Sequence, residues 1–460
     1  MAAIGTDPGL RVPRAHRRLA VAPVRYLRGG VDSMSAVDTV RNRLDALPDV
    51  GLVVAFIASI WAVMLVLAIA VGGANWANLA AGFIGSVTVL IGGYAILALA
   101  LNLQWGYTGL FNIGIAGFMA VGAYTTAVLT APTDPAAGAV PGLGLPLWVG
   151  LIGGMAMAAI IGGLAALPAL RLKADYLAIV TVAFSEIIRL VVNWNGLAEV
   201  SLFGVPFGTG GATGISFKSA NEVASTLING VGQPLVTAAE GVGVSGPNLA
   251  NLTYGILLLL VVAASYWVLA RITNSPFGRV LKAIREDETV TQSLGKDTRR
   301  FKIKTFMIGC ALMGLAGVLF RGQAGYVSPQ QFRPTITFYV FAALIIGGSG
   351  SNTGSIIGAA TFSGLLFYLP ARLGENVSLG GTRAPSNIVD AIAGLGSLDP
   401  LPLLAYTISN VSTLRFVLIG VVLIYIIQNQ PDGLLGHRNE PATSVSLDRP
   451  QSGSGGEANE

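Results

Sequence analysis

Long apolar runs recur along this sequence of 460 residues and constrain its fold more than any other feature. A helix needs about 20 apolar residues to cross the hydrocarbon core of a bilayer, because each residue advances it by only ~1.5 Å. Hydrophobic residues make up 53% of the chain and charged residues only 11%, far from the balance of a soluble protein. The pattern predicts an all-α fold, a polytopic transmembrane helical bundle. The predicted spans are 51–72, 80–102, 107–130, 146–169, 175–194, 250–270, 304–324, 335–349, 354–371 and 413–429.

Basic residues orient these spans, because loops rich in Lys and Arg stay on the cytoplasmic side. Residues 271–304 carry nine Lys and Arg, whereas the predicted outer loops 131–145 and 195–249 carry none and one. We predict about ten spans, within a range of eight to ten. With the N-terminus inside, ten spans leave both termini in the cytoplasm. The net charge of +5 thus reports topology and does not indicate nucleic-acid binding.

The chain divides into three predicted parts by composition. Residues 1–50 carry eight arginines among Asp, Pro and Gly, and we expect a disordered basic cytoplasmic tail. Residues 51–435 hold the transmembrane domain, and residues 436–460 form a second disordered cytoplasmic tail. Within the transmembrane domain, residues 195–249 and 372–412 are rich in Gly, Ser, Asn and Pro, as is typical of extracytoplasmic loops.

The charged segment, residues 271–304, is the most informative part of the chain. Apolar residues four apart, such as Val280 and Ile284, occur together with basic residues three apart, which is amphipathic-helix spacing. Gly295 stands where a helix takes a C-terminal glycine, so the pattern predicts a short surface helix that ends in a turn. From spacing alone, an ordinary basic loop that sets the orientation of the spans is a better interpretation than a docking element for a separate ATPase.

A resemblance to a known family reverses that preference. The run AIREDE, followed by SLG, a basic stretch and LMGLAGVLF, resembles the cytoplasmic loop and next helix of ABC permeases for branched-chain amino acids. In that family the loop contacts the ATPase. The resemblance therefore implies ATPase-coupling roles for the matching positions, which are Glu286, Asp287, Glu288, Leu294 and Gly295.

Four further stretches carry the same resemblance in the same order. GYTGLFNIGIAGFMAVGAY resembles the glycine-rich signature of the third helix, with Ile115 where paralogues often have histidine. KADYLAIVTVAFSEIIRLVVNWNGL, followed by TGGATGI after an insertion at 198–208, resembles the stretch that marks one of the two permease types. GGSGSNTGSIIGA resembles a glycine-rich turn, with Ser355 where proline is usual, and PDGLLG resembles the cytoplasmic end.

The resemblance implies a permease subunit of the cytoplasmic membrane that imports branched-chain amino acids. Its partners would be a second homologous permease subunit, two ABC ATPase subunits and an extracytoplasmic solute-binding protein. Urea or short amides are the alternative substrates, because related permeases carry them. We find no Walker motif, nucleophile elbow or metal-ligand cluster, so we expect no cofactor and no catalysis by this chain.

Polar residues inside the predicted spans are few. Glu186 and Arg189 each cost about 3 kcal/mol at the bilayer centre, and three residues apart they partly neutralise each other. They either line the substrate route or form an internal ion pair that holds helices in register. Tyr107, Thr108 and Asn112 either line the route or bond to neighbouring helices. The competing class, an ion-coupled secondary carrier, would normally show several intramembrane acids, and here there is one.

Overall fold

Helices dominate the computed structural model. The two predicted tails lie outside the described residues, except for residues 49 and 50, which begin the first helix. The structure describes residues 49–135, 140–170, 174–202, 205–219, 225–226, 233–376, 385, 387–393 and 399–435.

The apolar runs predict most helix positions well, because lipid leaves a backbone no other way to satisfy its hydrogen bonds. The helices are α1 Asp49–Gly72, α2 Trp76–Leu101, α3 Ile115–Thr130, α4 Leu147–Ala169, α5 Ala174–Asn193, α6 Gln233–Gly241, α7 Gly246–Thr273, α8 Pro276–Glu286, α9 Glu288–Ser293, α10 Thr298–Ala316, α11 Thr335–Gly347, α12 Asn352–Ala360, α13 Leu369–Asn376, α14 Ile388–Ala393, α15 Leu401–Ser409 and α16 Val411–Asn429. Three of them continue as π-helical turns, at Asn102–Gly106, Gly317–Arg321 and Thr361–Tyr368.

The predicted third span, 107–130, differs from the structure at its start. Helix α3 begins only at Ile115, and residues 107–114 are irregular. Gly109 lies in this stretch with φ of +74°, a left-handed conformation that no helix continues through. Most of the stretch is buried or half-buried in the protein, and Gly109, its exposed residue, lies beside Arg285 of the charged segment.

Six helical segments of the described chain are long and apolar enough to cross a membrane, and one of them, Asp49–Gly106, contains two of the predicted spans. Two shorter apolar helices, α3 and α11, accompany them. The all-α polytopic fold is therefore confirmed, whereas the count of about ten spans stays a prediction.

Close packing of α3, α4 and α10 depends on small residues. A Cβ built on Gly122 would lie 2.4 Å from the Cα of Gly314, and one on Gly154 would lie 2.6 Å from the carbonyl oxygen of Gly122. These backbones meet directly, as is usual where helices associate in lipid without a hydrophobic driving force. The high glycine content therefore serves helix contact.

Helices α2 and α7 run side by side in the same direction. A Cβ on Gly85 would approach the backbone of Leu252, and one on Gly92 would meet the side chain of Leu258. Both helices consequently end on the same side of the bundle, the side on which the charged segment begins.

The opposite side carries four short strands. Strands β1 Val200–Leu202 and β2 Val205–Phe207 form an antiparallel hairpin within the predicted insertion. Strands β3 Ile215–Ser216 and β4 Tyr326–Val327 pair antiparallel, so the TGGATGI turn is bonded to the stretch after α10. The hydroxyl of Thr209 donates to the carbonyl of Val192 at 2.9 Å and holds that turn against the end of α5.

Candidate transport and coupling sites

The charged segment forms two helices, where the sequence predicts one. Asp287 breaks it with an extended backbone (φ −154°, ψ 108°), and its Oδ1 accepts a hydrogen bond from the Val290 N–H at 3.0 Å. This is the N-cap interaction that aspartate favours, so the residue that ends α8 also begins α9. The predicted C-terminal glycine is confirmed, because Gly295 follows α9 with φ of +76°.

One face of the charged segment is anchored to the bundle and the other is open. Leu281 and Ile284 of α8 are buried, and the rings of Phe277 and Phe301 stack with centroids 5.2 Å apart. By contrast, Leu294 is 75% exposed, and a Cβ built on Gly295 would meet no atom within 4 Å. Val290, one turn before Leu294, is 55% exposed as well, so the two side chains offer apolar surface to another protein.

The three consecutive acidic residues Glu286, Asp287 and Glu288 make different contacts. Glu286 is exposed, whereas Asp287 is used as the cap. Glu288 forms an ion pair with Lys302, with Nζ and Oε2 2.5 Å apart, and accepts a hydrogen bond from the Thr298 hydroxyl at 3.0 Å. Glu288 thus ties α9 to the start of α10. Among the five predicted coupling residues, only Glu288 is half-buried, and the other four, Glu286, Asp287, Leu294 and Gly295, are exposed.

Arg285 joins the charged segment to the ends of the membrane helices. We call the helix-end junction the two stretches Asn102–Gly106 and Gly348–Asn352. The Arg285 Nη1 donates a hydrogen bond to the carbonyl oxygen of Gly106, and a Cβ on Gly350 would lie 3.2 Å from the same nitrogen. The Asn102 Nδ2 donates to the Oδ1 of Asn352 at 3.0 Å, so the two stretches also bind each other.

The C-terminal motif PDGLLG closes the same junction. The Leu434 N–H donates to the carbonyl of Ile346 at 2.9 Å, and the Leu435 N–H donates to that of Gly347 at 3.0 Å. A Cβ on Gly433 would lie 2.4 Å from the Gly348 nitrogen. The ends of α2, α11 and α16 therefore meet where α8 inserts its arginine.

The three predicted pathway residues between α2 and α3 are buried inside the protein. The Thr108 hydroxyl donates to the carbonyl of Leu103 at 3.1 Å. The Asn112 Nδ2 donates to the Gln104 Oε1 at 2.9 Å, and the Gln104 Nε2 donates to the carbonyl of Phe306 at 3.0 Å. Tyr107 is buried too, with the Lys282 Nζ 5.9 Å from its ring centroid. These bonds hold the irregular stretch 107–114 in place, and a role in the pathway stays a prediction.

Glu186 and Arg189 form the ion pair expected from their spacing. The Arg189 Nη2 lies 2.5 Å from the Glu186 Oε1, and its Nε donates to the Oε2 at 2.9 Å. This two-point geometry is the strongest that a guanidinium and a carboxylate form. The side chains remain 17% (Arg189) and 36% (Glu186) exposed, so a further ligand can reach the pair.

The pair lies in the outer pocket, a cavity of about 380 Å³. Its remaining wall includes Arg333, whose Nη2 donates to the Gln330 Oε1 at 2.7 Å. The outer pocket is lined by Glu186, Arg189, Gln330, Arg333, Pro334 and Thr335. A volume of this order suits a small molecule such as an amino acid.

Helix α11 connects the outer pocket to the helix-end junction. Helix α11 begins at Thr335, on the pocket wall, and ends at Gly347, beside the helix-end junction. Its 13 residues span about 20 Å, which is shorter than the ~30 Å hydrocarbon core. The pocket and the helix-end junction therefore lie at opposite ends of one short helix, about 20 Å apart.

Sequence reasoning missed the partners that come from distant parts of the chain. Arg285 belongs to the AIREDE motif, which was a signal for it, and Asn102 interrupts an apolar run. Gln330 and Arg333 carry no such signal, because only the fold brings them to α5.

Comparison with known proteins gives consistent matches. The family model described as "Branched-chain amino acid transport system / permease component" matches residues 83–369. The high-affinity branched-chain amino acid transport system permease protein LivM of Escherichia coli (strain K12) is 37% identical over 276 residues, which are 58% of this chain and 59% of that protein. The chain thus spans about 59% of that relative's length.

Two other relatives are more distant. The probable branched-chain amino acid transport permease protein LivM of Methanocaldococcus jannaschii is 26% identical over 304 residues, 61% of this chain and 79% of that protein. The autoinducer 2 import system permease protein LsrC of Photorhabdus laumondii is 31% identical over 118 residues, 25% of this chain and 34% of that protein. No solved structure gives a significant match.

The match at 83–369 includes α5, the charged segment and both stretches of the helix-end junction. Since it covers more than half of the sequence, this multi-pass membrane chain belongs to the family of branched-chain amino acid transport system permease components.

Proposed function

We propose that this chain is the membrane-spanning permease subunit of an ATP-driven ABC importer and forms part of the pathway for branched-chain amino acids. Its partners are a second homologous permease subunit, two ATPase subunits and an extracytoplasmic solute-binding protein. Both termini and the charged segment face the cytoplasm, and the loops at 195–249 and 372–412 face outward. The observation that carries the proposal is the contact of Arg285 with the helix-end junction.

Coupling to the ATPase follows from the two faces of the charged segment. Leu294 and the turn at Gly295 present an open surface, which a cleft of the ATPase covers. Arg285, on the same segment, is hydrogen-bonded to the end of α2 and lies against the turn before α12. Closure of the ATPase pair therefore displaces α8, and the two helix ends move with it as one unit. Such a rigid-body movement switches access of the pathway between the two sides of the membrane.

Substrate selection follows from the charges of the outer pocket. A free amino acid carries an ammonium and a carboxylate, and the pocket offers one acid, Glu186, and two bases, Arg189 and Arg333. A neutral amide or urea has no charges with which to bind Glu186 and Arg189. The pocket therefore favours amino acids over those alternatives. The matches to branched-chain amino acid permeases support the same choice.

The function is tested by uptake of radiolabelled leucine into proteoliposomes that contain both permease subunits, with and without the ATPase subunits. We expect uptake only when the ATPase, ATP and the binding protein are all present. Uptake by this chain alone, driven by an ion gradient, would establish the secondary carrier instead.

Substitution of Gly295 tests the charged segment. We expect Gly295→Val to lower uptake per ATP hydrolysed, because a β-branched residue is strained at φ of +76° although no atom obstructs its side chain. Gly295→Asn is the matched control, because asparagine tolerates this conformation, and it should transport nearly as the wild type does. Equal coupling in both variants would remove the turn from the mechanism.

The Glu186–Arg189 pair is tested by removing and by interchanging its charges. Glu186→Gln and Arg189→Gln should each lower the uptake rate about tenfold or more, the effect of losing a charge-assisted hydrogen bond. The double variant Glu186→Arg/Arg189→Glu should recover thermal stability without recovering uptake, because a zwitterion then meets the charges in the wrong order.

Glu375→Gln is the control for this series, since Glu375 forms an ion pair of the same spacing with Arg372, outside both the charged segment and the outer pocket. It should leave uptake unchanged. If the interchange variant regains full uptake, the pair only stabilises α5 and is no part of the pathway.

A further inference from the structure

Two arginines lie inside the bundle without an acidic partner. The described residues form four salt bridges, and neither Arg321 nor Arg415 takes part in any of them. The Nε of each is buried and has no hydrogen-bond partner. Arg415 uses its Nη1 to donate to the carbonyl of Phe367 at 3.0 Å, a neutral acceptor that leaves the charge uncompensated.

Both arginines lie far from the helix-end junction. Tyr94 precedes Gly106 by twelve residues, which places it about 18 Å from the helix-end junction along α2. The ring of Phe320, the neighbour of Arg321, lies 5.4 Å from the Tyr94 ring and so at the same level. Arg415 precedes the end of α16 at Asn429 by fourteen residues, or about 21 Å. The two charges therefore lie about 20 Å from the helix-end junction and within the predicted spans 304–324 and 413–429.

Aromatic rings form the walls around these charges. The guanidinium of Arg321 lies 4.6 Å from the Phe320 ring, and that of Arg415 lies 3.9 Å from the Phe367 ring. The Phe362 ring lies 5.5 Å from that of Tyr94. The Phe362 ring in turn lies 6.2 Å from that of Phe367, so a continuous set of ring contacts links both guanidinium groups to Tyr94.

Local backbone geometry sets these side chains apart from the rest of the bundle. Phe320 and Arg321 belong to the π-helical turn Gly317–Arg321, and Phe362 and Phe367 belong to the turn Thr361–Tyr368. A π-helical turn is rare, and within long helices it is found frequently at functional sites. Two of the three such turns in the described chain thus supply one cluster.

The charge of this cluster requires an anion. Arginine cannot lose its proton in a protein, so burial cannot neutralise it as it can a lysine or a histidine. Aromatic faces attract a cation but leave its net charge in place. Intramembrane charges are retained where they meet a counter-charge or serve a pathway, and the described chain supplies no carboxylate here.

We propose that the arginine–tyrosine cluster, formed by Tyr94, Arg321 and Arg415, binds an anionic oxygen group, either a carboxylate or a phosphate. The guanidinium groups supply the charge, and the Tyr94 hydroxyl supplies a further donor. A carboxylate comes from the transported amino acid, an assignment that rests on the proposed function. A phosphate comes from a lipid headgroup, an assignment that is independent of it.

The test uses the purified transporter complex and measures its thermal unfolding temperature with four additives. Leucine is compared with leucinol, which lacks the carboxylate, and phosphatidylglycerol is compared with the zwitterionic phosphatidylcholine. We expect leucine or phosphatidylglycerol to raise the unfolding temperature of the wild type, and Arg321→Gln to abolish that shift. Arg321→Lys should keep part of the shift because it keeps the charge, and Arg300→Gln should keep all of it.

The two sources are separated by which shift disappears. Loss of the leucine shift together with a tenfold or greater fall in uptake identifies the carboxylate, and loss of the phosphatidylglycerol shift identifies the lipid. If Arg321→Gln does not fold, Tyr94→Phe replaces it, because this change removes only the hydroxyl and should weaken the same shift. The proposal is wrong if neither additive stabilises the wild type, or if the variants keep both shifts. Failure of ATP-driven uptake in the wild type would instead refute the proposed function.

Discussion

The guanidinium of Arg285 reaches the backbone at Gly106 and Gly350, because its Nη1 donates to the Gly106 carbonyl and lies 3.2 Å from where a Cβ on Gly350 would stand. A Cβ on Gly106 would lie 2.0 Å from the Asn102 Oδ1 and 2.7 Å from the Gly350 nitrogen, so even an alanine would push the junction apart. The arginine satisfies a carbonyl at the end of α2, one of the orphan acceptors that every helix leaves at its C-terminus. One side chain thereby connects a surface helix to two elements that enter the membrane.

The proposed coupling requires the rest of the bundle to transmit a displacement of this contact. Helices α3, α4 and α10 meet through glycines with backbone against backbone, so little free space remains to absorb a displacement. Asn102 and Asn352 bind each other, and the C-terminal motif closes over the same turn. The outer pocket is about 20 Å away, at the other end of the short helix α11. Under the proposed function, a shift of the junction would reach the pocket along this one helix.

Local patterns in the sequence predict a large part of this arrangement. Apolar length predicts the helices, Gly295 predicts the end of α9, and a spacing of three residues predicts the Glu186–Arg189 pair, because each depends on residues that are close in the chain. The break at Asp287 was not predicted. Aspartate commonly begins a helix by accepting a hydrogen bond from the N–H three residues further on, as Asp287 does from Val290. The irregular start before α3 was missed because GYTGLFNIG is apolar enough for a span.

Contacts between distant residues escaped prediction for a different reason. Arg321 and Arg415 stand near the ends of predicted spans, where a basic residue normally reaches the membrane surface. Only the packing of α2, α10 and α16 shows that both point among aromatic rings. Gln330 and Arg333 likewise join the outer pocket through the fold alone. Such positions follow from tertiary structure, and no spacing rule in a single sequence encodes them.

The account depends most on Arg285 as the link between the ATPase-facing surface and the membrane helices. The direct measurement is the number of leucine molecules imported per ATP hydrolysed by the reconstituted transporter with Arg285→Gln, compared with Arg279→Gln on the exposed side of α8. The account predicts that Arg285→Gln keeps ATP hydrolysis and assembly with the ATPase while import per ATP falls about tenfold, as expected for a lost charge-assisted hydrogen bond. Arg279→Gln should match the wild type. An unchanged ratio in Arg285→Gln, with normal assembly, would contradict the claim.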